Sequence, residues 1–318
     1  MVIMRNKGWL ATHRLALLTA AALAVAAAAT GCSVSSAPSD GKPQIVASMY
    51  PFAFLATSIA GDHADVATLV PPGTEPHDYE LTPQQVASLR TASVVVYQAG
   101  VSAAIDEAVT EAAPAHVVET GSLIDLLPPP SGDDESIANA GDSTYGFDPH
   151  TWLDPANMVV FAAAVANTMA NADPANAGAY QAAATTLEAQ LTSLDTQYRD
   201  GLAGCQRTAF LTTHAAFDYM ARAYGLTQLA IAGVTPDDEP SPRRLGELAD
   251  QAKTLGLTTV FFETLVSPDY AQTLASDLGL RTDVLDPIEA ITKASRGGDY
   301  IAIMQANLQA LQTANGCP

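Results

Sequence analysis

From residue 44 onward, short runs rich in β-branched residues alternate with longer stretches whose apolar positions recur every three or four residues. In the first half this pattern predicts strands at 45–48, 66–70, 94–97 and 116–119, and helices at 51–60, 83–91 and 103–112. Thr82 followed by Pro83 has the order of an N-cap and a first helical position. The same grammar returns after Cys205, with strands at 207–212, 227–231, 258–262 and 282–285 and helices at 216–224, 242–255, 268–278 and 300–311. Strand-helix repetition builds parallel sheets covered by helices, so the chain reads as two doubly wound α/β domains. Between them, Asp173-Pro174 opens a helical run over 175–202, with Leu187, Leu191, Leu194 and Tyr198 on one stripe. At 1.5 Å per residue it spans roughly 40 Å, a stiff connection that predicts only modest domain shifts. The expected division is 44–173, a linker helix over 174–203, and 204–318, with a functional site in the cleft between the domains.

The N-terminal 31 residues are of a different kind. Arg5, Lys7 and Arg14 precede an Ala/Leu-rich run ending near Ala29, the layout of a signal peptide. Ala29-Thr-Gly-Cys32 resembles a bacterial lipobox, with Cys32 as the lipidated residue, although Ala29 stands where Leu is usual. Residues 32–43, rich in Ser, Pro and Gly, suit a flexible tether. These features predict an extracytoplasmic protein anchored to the cell membrane, with plain secretion as the alternative.

Charge narrows the partners. The chain holds 34 acidic against 14 basic residues, a formal net charge of −20, and three of the basic residues lie in the leader. Such a surface disfavours nucleic acid and polyanionic lipid and is compatible with a cationic ligand. Beyond the lipobox only Cys205 and Cys317 remain. In an exported protein they read as a disulfide stapling the C-terminus to its domain. Residues 128–147, acidic and rich in small residues, read as a mobile lid in which Asp133, Asp134 and Glu135 could attract cations weakly.

Three histidines carry the candidate chemistry. They stand in Gly73-Thr-Glu-Pro-His77-Asp-Tyr-Glu80, Asp148-Pro-His150-Thr-Trp-Leu-Asp-Pro155 and Leu211-Thr-Thr-His214-Ala-Ala-Phe217. His214 and Asp286, the latter in Val284-Leu-Asp-Pro287, follow predicted strands, where open α/β sheets bind ligands. Three imidazoles and a carboxylate form a familiar tetrahedral Zn²⁺ set, so His77, His150, His214 and Asp286 are the expected ligands. Each imidazole needs an acceptor on its second nitrogen, and Glu263, Asp148 and Glu80 are the candidates. Trp152 and Phe217 are expected to pack beside the site. His63 and His116 read as surface residues.

Motif by motif these strings resemble the zinc and manganese solute-binding lipoproteins of bacterial ABC transporters, the cluster A-I family. The resemblance extends from His77-Asp-Tyr79 with Thr82-Pro83, through Asp148–Pro155, Asp173-Pro174 with Tyr180, Thr213–Phe217 and Tyr224-Gly225-Leu226, to Leu285-Asp-Pro287. It implies two α/β domains joined by a rigid helix, one metal between them, and delivery to a membrane permease by a monomeric protein. The family's ligands fall on His77, His150, His214 and Asp286. Manganese members carry a glutamate at the position of His214, so the resemblance favours zinc, in line with the preference of harder ions for oxygen donors. Many zinc members carry a His-rich loop before the second ligand, and 128–147 has no histidine. A zinc hydrolase is the competing class, since three protein ligands plus a water would be catalytic. The chain lacks a His-Glu-x-x-His helix, and a fourth protein ligand would leave no water to activate. A surface adhesin is a third reading, without a motif of its own.

Overall fold

The computed structural model describes residues 41–129, 146–234, 241–265 and 267–318. Cys32, the leader and the core of the acidic 128–147 segment, including Asp133, Asp134 and Glu135, lie outside the described residues. Pro43–Pro318 pack as one compact unit that carries two parallel sheets.

The first sheet consists of β1 (Gln44–Ala47), β2 (Asp65–Thr68), β3 (Val94–Tyr97) and β4 (Val117–Glu119), in the order β2-β1-β3-β4. Helices α1 (Tyr50–Ala60), α2 (Pro83–Thr91) and α3 (Ala103–Ala112) lie between its strands in sequence. The second sheet repeats the scheme with β5 (Ala209–Thr212), β6 (Thr227–Ala230), β7 (Thr259–Phe262) and β8 (Arg281–Val284), ordered β6-β5-β7-β8. Its helices are α6 (Asp218–Tyr224), α7 (Pro242–Thr254), α8 (Asp269–Leu278) and, after β8, α9 (Tyr300–Asn315). All six strand pairings are parallel. In each sheet the order reverses beside the first strand, which opens a crevice at the carboxyl ends of the strands.

Local chemistry explains the boundaries. Thr82 caps α2 as expected, and Gln85 reaches back to the Thr82 N–H at 2.8 Å, completing a capping box. Ser102, Ser241 and Asp299 cap α3, α7 and α9. Strand ends fall within two residues of the predicted ones, with β1, β2 and β8 starting one residue earlier and β3 matching at both ends. The pleat sorts β5 and β7 by alternation: Phe210 and Phe261 face the main core, while Ala209, Leu211 and Val260 face a second apolar cluster with Leu248, Ala271 and Leu274.

Two helices join the sheets. One was not anticipated: α4 (Pro155–Ala172), capped by Asp154, whose buried Met158, Phe161, Ala162, Val165, Ala166 and Met169 follow helical spacing. The other is α5 (Ala177–Leu202), preceded by a 3₁₀ turn at Pro174–Asn176, where the sequence predicts unbroken helix from residue 175. Its buried stripe runs Tyr180, Ala184, Leu187, Leu191, Leu194, Tyr198 and Leu202, packed against α4, α1 and α9. Polar contacts tie the halves together within this core. The Tyr198 hydroxyl donates to the Met304 carbonyl at 2.6 Å, and the Tyr300 hydroxyl to the Trp152 carbonyl at 2.6 Å. No helix among the described residues is long and apolar enough to cross a membrane.

Cys205 and Cys317 form the expected disulfide, 112 residues apart in sequence. Backbone bonds from Gln206 to Gly316 and from Arg207 to Asn315 flank it, so the C-terminus is held by more than the covalent link. Closing so long a loop contributes up to about 5 kcal/mol in the chain-entropy account. Replacing both cysteines by serine is therefore expected to lower unfolding free energy by a few kcal/mol without loss of fold. Denaturant titration of both proteins, with and without reductant, checks this, and an unchanged midpoint would show that the bond adds no stability.

Candidate metal centre

The carboxyl ends of both sheets contribute to one cluster. His77 lies in the β2–α2 connection, after a Pro71-Pro72 turn in which Gly73 adopts φ 75°. The Glu75 carboxylate accepts the His77 backbone N–H at 3.1 Å and fixes the loop locally. His150 closes the segment that leads into a 3₁₀ turn, Thr151–Leu153, and α4. His214 lies just beyond β5, and Glu289 lies in the segment after β8.

Hydrogen bonds decide which imidazole nitrogen faces inward. Nδ1 of His77 lies 3.0 Å from the Val101 carbonyl, an acceptor only, so it carries the proton. Nδ1 of His150 donates to Asp148 Oδ1 at 2.7 Å, and Nδ1 of His214 donates to Glu263 Oε1. The same Asp148 oxygen accepts the His150 backbone N–H, and the same Glu263 oxygen accepts the Thr213 hydroxyl. With each Nδ1 occupied, every Nε2 points at the cluster. The three Nε2 atoms lie 3.5, 3.3 and 3.5 Å from Glu289 Oε1 for His77, His150 and His214. Ring centroids are 5.3 Å apart for His77–His150, 5.4 Å for His150–His214 and 6.5 Å for His77–His214.

The cluster is almost dry. The side chains of His150, His214 and Glu289 are 0% exposed and that of His77 is 5% exposed. None of the three Nε2 atoms and neither Glu289 oxygen has a hydrogen-bond partner. Such an arrangement is costly unless a cation compensates it. Four donors, one from each residue, lie within 4.8 Å of one another, the layout of a four-coordinate site for a divalent ion.

Electrostatics agree. Burial opposes charge on His150, but Asp148 and Glu289 outweigh it and raise its pKa to about 9. His214 is raised by Glu263 and Glu289 against the same burial. Burial works against the Glu289 carboxylate, and the three imidazoles nevertheless hold it well below the usual range. Around the cluster, Glu75 is pushed up to about 8 by burial and by Glu289, and Asp218 to about 6 by burial and by Asp148.

The structure departs from the sequence reading at two positions. Asp286, expected as the carboxylate ligand, is outside the four-residue cluster, and Glu289 occupies that place. The Asp286 carboxylate is turned onto its own chain: Oδ1 accepts the Ile288 N–H at 2.8 Å and Oδ2 the Thr264 hydroxyl at 3.3 Å. Glu80 is exposed, and the Val101 carbonyl holds the His77 ring instead. Asp148 and Glu263 do face the rings of His150 and His214. Trp152 and Phe217 are both 0% exposed, and the Trp152 ring lies 5.3 Å from that of His150. His63 is exposed, with its ring against the edge of Tyr180, and His116 is half-buried; neither belongs to the cluster.

Comparison with known proteins bears on the same region. Residues 45–314 match the family described as zinc-uptake complex component A, periplasmic. The chain is 34% identical over 283 residues to the zinc-binding lipoprotein AdcA of Streptococcus pneumoniae, covering 86% of this chain and 56% of that protein. It therefore spans a little over half the length of the AdcA relatives it matches. It is 33% identical over 303 residues to the high-affinity zinc uptake system protein ZnuA of Bacillus subtilis, covering 93% of this chain and 95% of that one. The fold superposes on the Zn(II)-bound ZnuA-like domain of Streptococcus pneumoniae AdcA with a TM-score of 0.73 at 32% identity, covering 86% of this chain and 99% of that chain. By the extent of these matches, the chain belongs to the family of periplasmic component A proteins of zinc-uptake complexes.

Proposed function

We propose that this protein captures Zn²⁺ outside the cytoplasm and delivers it to the membrane permease of an ABC transporter, without catalysing a reaction. The observation that carries the reading is the convergence of three imidazole Nε2 atoms on a buried carboxylate, none of them hydrogen-bonded. His77, His150, His214 and Glu289 are the ligands. Three nitrogens and one carboxylate oxygen suit Zn²⁺ better than the harder Mn²⁺. A hydrolase would keep one coordination position for water, and here Glu289 takes the fourth place. Residues 44–173 and 204–318 act as two lobes flanking the linker helix. Lipid on Cys32 holds the monomer at the membrane, and the tether over 32–43 lets it reach its permease. The names of AdcA and ZnuA support this reading.

Replacing His214 by alanine is expected to weaken zinc binding about 100-fold or more, since losing a group that merely orients a ligand already costs about 10- to 100-fold. H63A should leave it unchanged, and zinc should raise the melting temperature of the parent and of H63A by linkage. Competition with a chromogenic chelator measures both constants; equal losses in the two variants would refute the ligand set.

Protons compete for the same nitrogens. Below about 9, His150 holds a proton in the metal-free protein, and zinc must displace it. Apparent affinity is therefore expected to be greatest at alkaline pH and to fall as pH drops, by up to about tenfold per pH unit for each proton released. The same competition run from about pH 9.5 down to about pH 6.5 tests this, and a flat profile would remove His150 from the ligand set.

A further inference from the structure

Ile288 is one of two non-glycine residues with positive φ among the described residues, at 61°. The other, Ala113, ends α3 as an ordinary left-handed cap. Ile288 has no such excuse: it is β-branched, completely buried, and immediately precedes Glu289. Left-handed backbone at such a residue persists only where the surroundings enforce it.

The enforcement is visible. Oδ1 of Asp286 accepts the Ile288 N–H at 2.8 Å, closing an Asx turn across Pro287. The Asn307 amide of α9 grips Asp286 on both sides, accepting its N–H at 2.9 Å and donating to its carbonyl at 2.7 Å. Trp152 Nε1 donates to the Pro287 carbonyl at 2.7 Å. Each backbone group that defines the turn is thus held, and the side chain that emerges from it is Glu289, which makes no hydrogen bond of its own. Its aim into the cluster is set by the turn alone.

We propose that Asp286 is a positioning residue for Glu289, acting through the left-handed turn at Ile288 and never contacting the ion. This rests on the reading of the cluster as a zinc site. The carboxylate that the sequence offers as a ligand is, on this view, the group that aims the ligand. What Asp286 supplies is a hydrogen-bond acceptor at a fixed distance from the Ile288 N–H; its charge is incidental.

Two substitutions separate distance from charge. D286N keeps the acceptor and removes the charge, whereas D286E keeps the charge and moves the acceptor by one methylene. Zn²⁺ affinity by chelator competition and the visible bands of bound Co²⁺ are measured for the full chain and for each variant, alone and with E289A. Positioning predicts that D286N binds within about threefold of the parent with unchanged Co²⁺ bands. It predicts that D286E loses about 10- to 100-fold with altered bands, the range for groups that orient a ligand. In the E289A background D286E should cost nothing further, because its route of action is gone. Should D286E not fold, judged by circular dichroism, D286A poses the same question in both backgrounds. The proposal is overturned if D286N binds as weakly as D286E, if D286E binds like the parent, or if the loss persists in E289A, which would make Asp286 a ligand itself. A parent protein that takes up neither Zn²⁺ nor Co²⁺ would instead overturn the zinc reading on which the proposal rests.

Discussion

A carboxylate buried without a single hydrogen bond is the constraint around which this molecule is arranged. Glu289 is 0% exposed and both of its oxygens lack partners. Left to itself, such a group would take up a proton or drive the structure open. Three imidazoles stand 3.3–3.5 Å away, and two of them rest on carboxylates of their own, Asp148 and Glu263. Without metal, the raised pKa values of His150 and His214 let protons on those two rings meet part of the negative charge. A divalent cation bonded to all four donors replaces those protons and settles the same imbalance, so metal capture and charge compensation are one event.

The acceptors on the far side of the rings grade the three imidazoles. A carbonyl behind His77 fixes the tautomer, whereas carboxylates behind His150 and His214 also make the ring more basic and a stronger donor to a metal. The two rings backed by carboxylates are the fully buried ones, and His77 alone among the three retains some exposure. Acceptor strength and burial therefore run together, with the weaker acceptor behind the more exposed ring.

Much of this is legible in the sequence because periodicity reports burial directly. The two sets of strands and the Leu187-Leu191-Leu194-Tyr198 stripe follow from spacing alone, and histidines set in Pro-rich turns stand out from solvated ones. The same spacing is present in 158–169, where the structure forms α4, although the elements predicted from the sequence include none there. Asp154 and Pro155, an N-cap and first-turn pair, were the available signal. That Glu289 lies in the cluster, where the sequence offers Asp286, is harder to read. Both acids follow β8, and between them Ile288 adopts a positive φ that sequence does not announce. Isoleucine is among the residues least expected at positive φ, so local propensity argues against this geometry, and the bonds from Asp286, Asn307 and Trp152 hold it against that propensity. Glu80 fails for a related reason: a backbone carbonyl can do its work, and sequence does not show where carbonyls point.

Release of a tightly held ion requires that some part of the cage yield, and the structure limits which part. The core that surrounds α5 spans both sheets, buried hydrogen bonds from Tyr300 and Trp152 cross from one half to the other, and Tyr198 ties α5 to the second half. Swinging the halves apart would expose that core and orphan those bonds together, a far larger disturbance than handing over one ion needs. Loops can move at lower cost. The His77 loop leans on the Glu75 carboxylate and the Val101 carbonyl, and the Glu289 turn is held against an unfavourable torsion by bonds from Asp286, Asn307 and Trp152. On the proposed ligand set, His77 and Glu289 are the two whose placement rests on such local contacts, while carboxylates back His150 and His214. An ion left on two imidazoles is held far less firmly than one held by four donors, and ligand exchange with a neighbouring acceptor can then proceed stepwise.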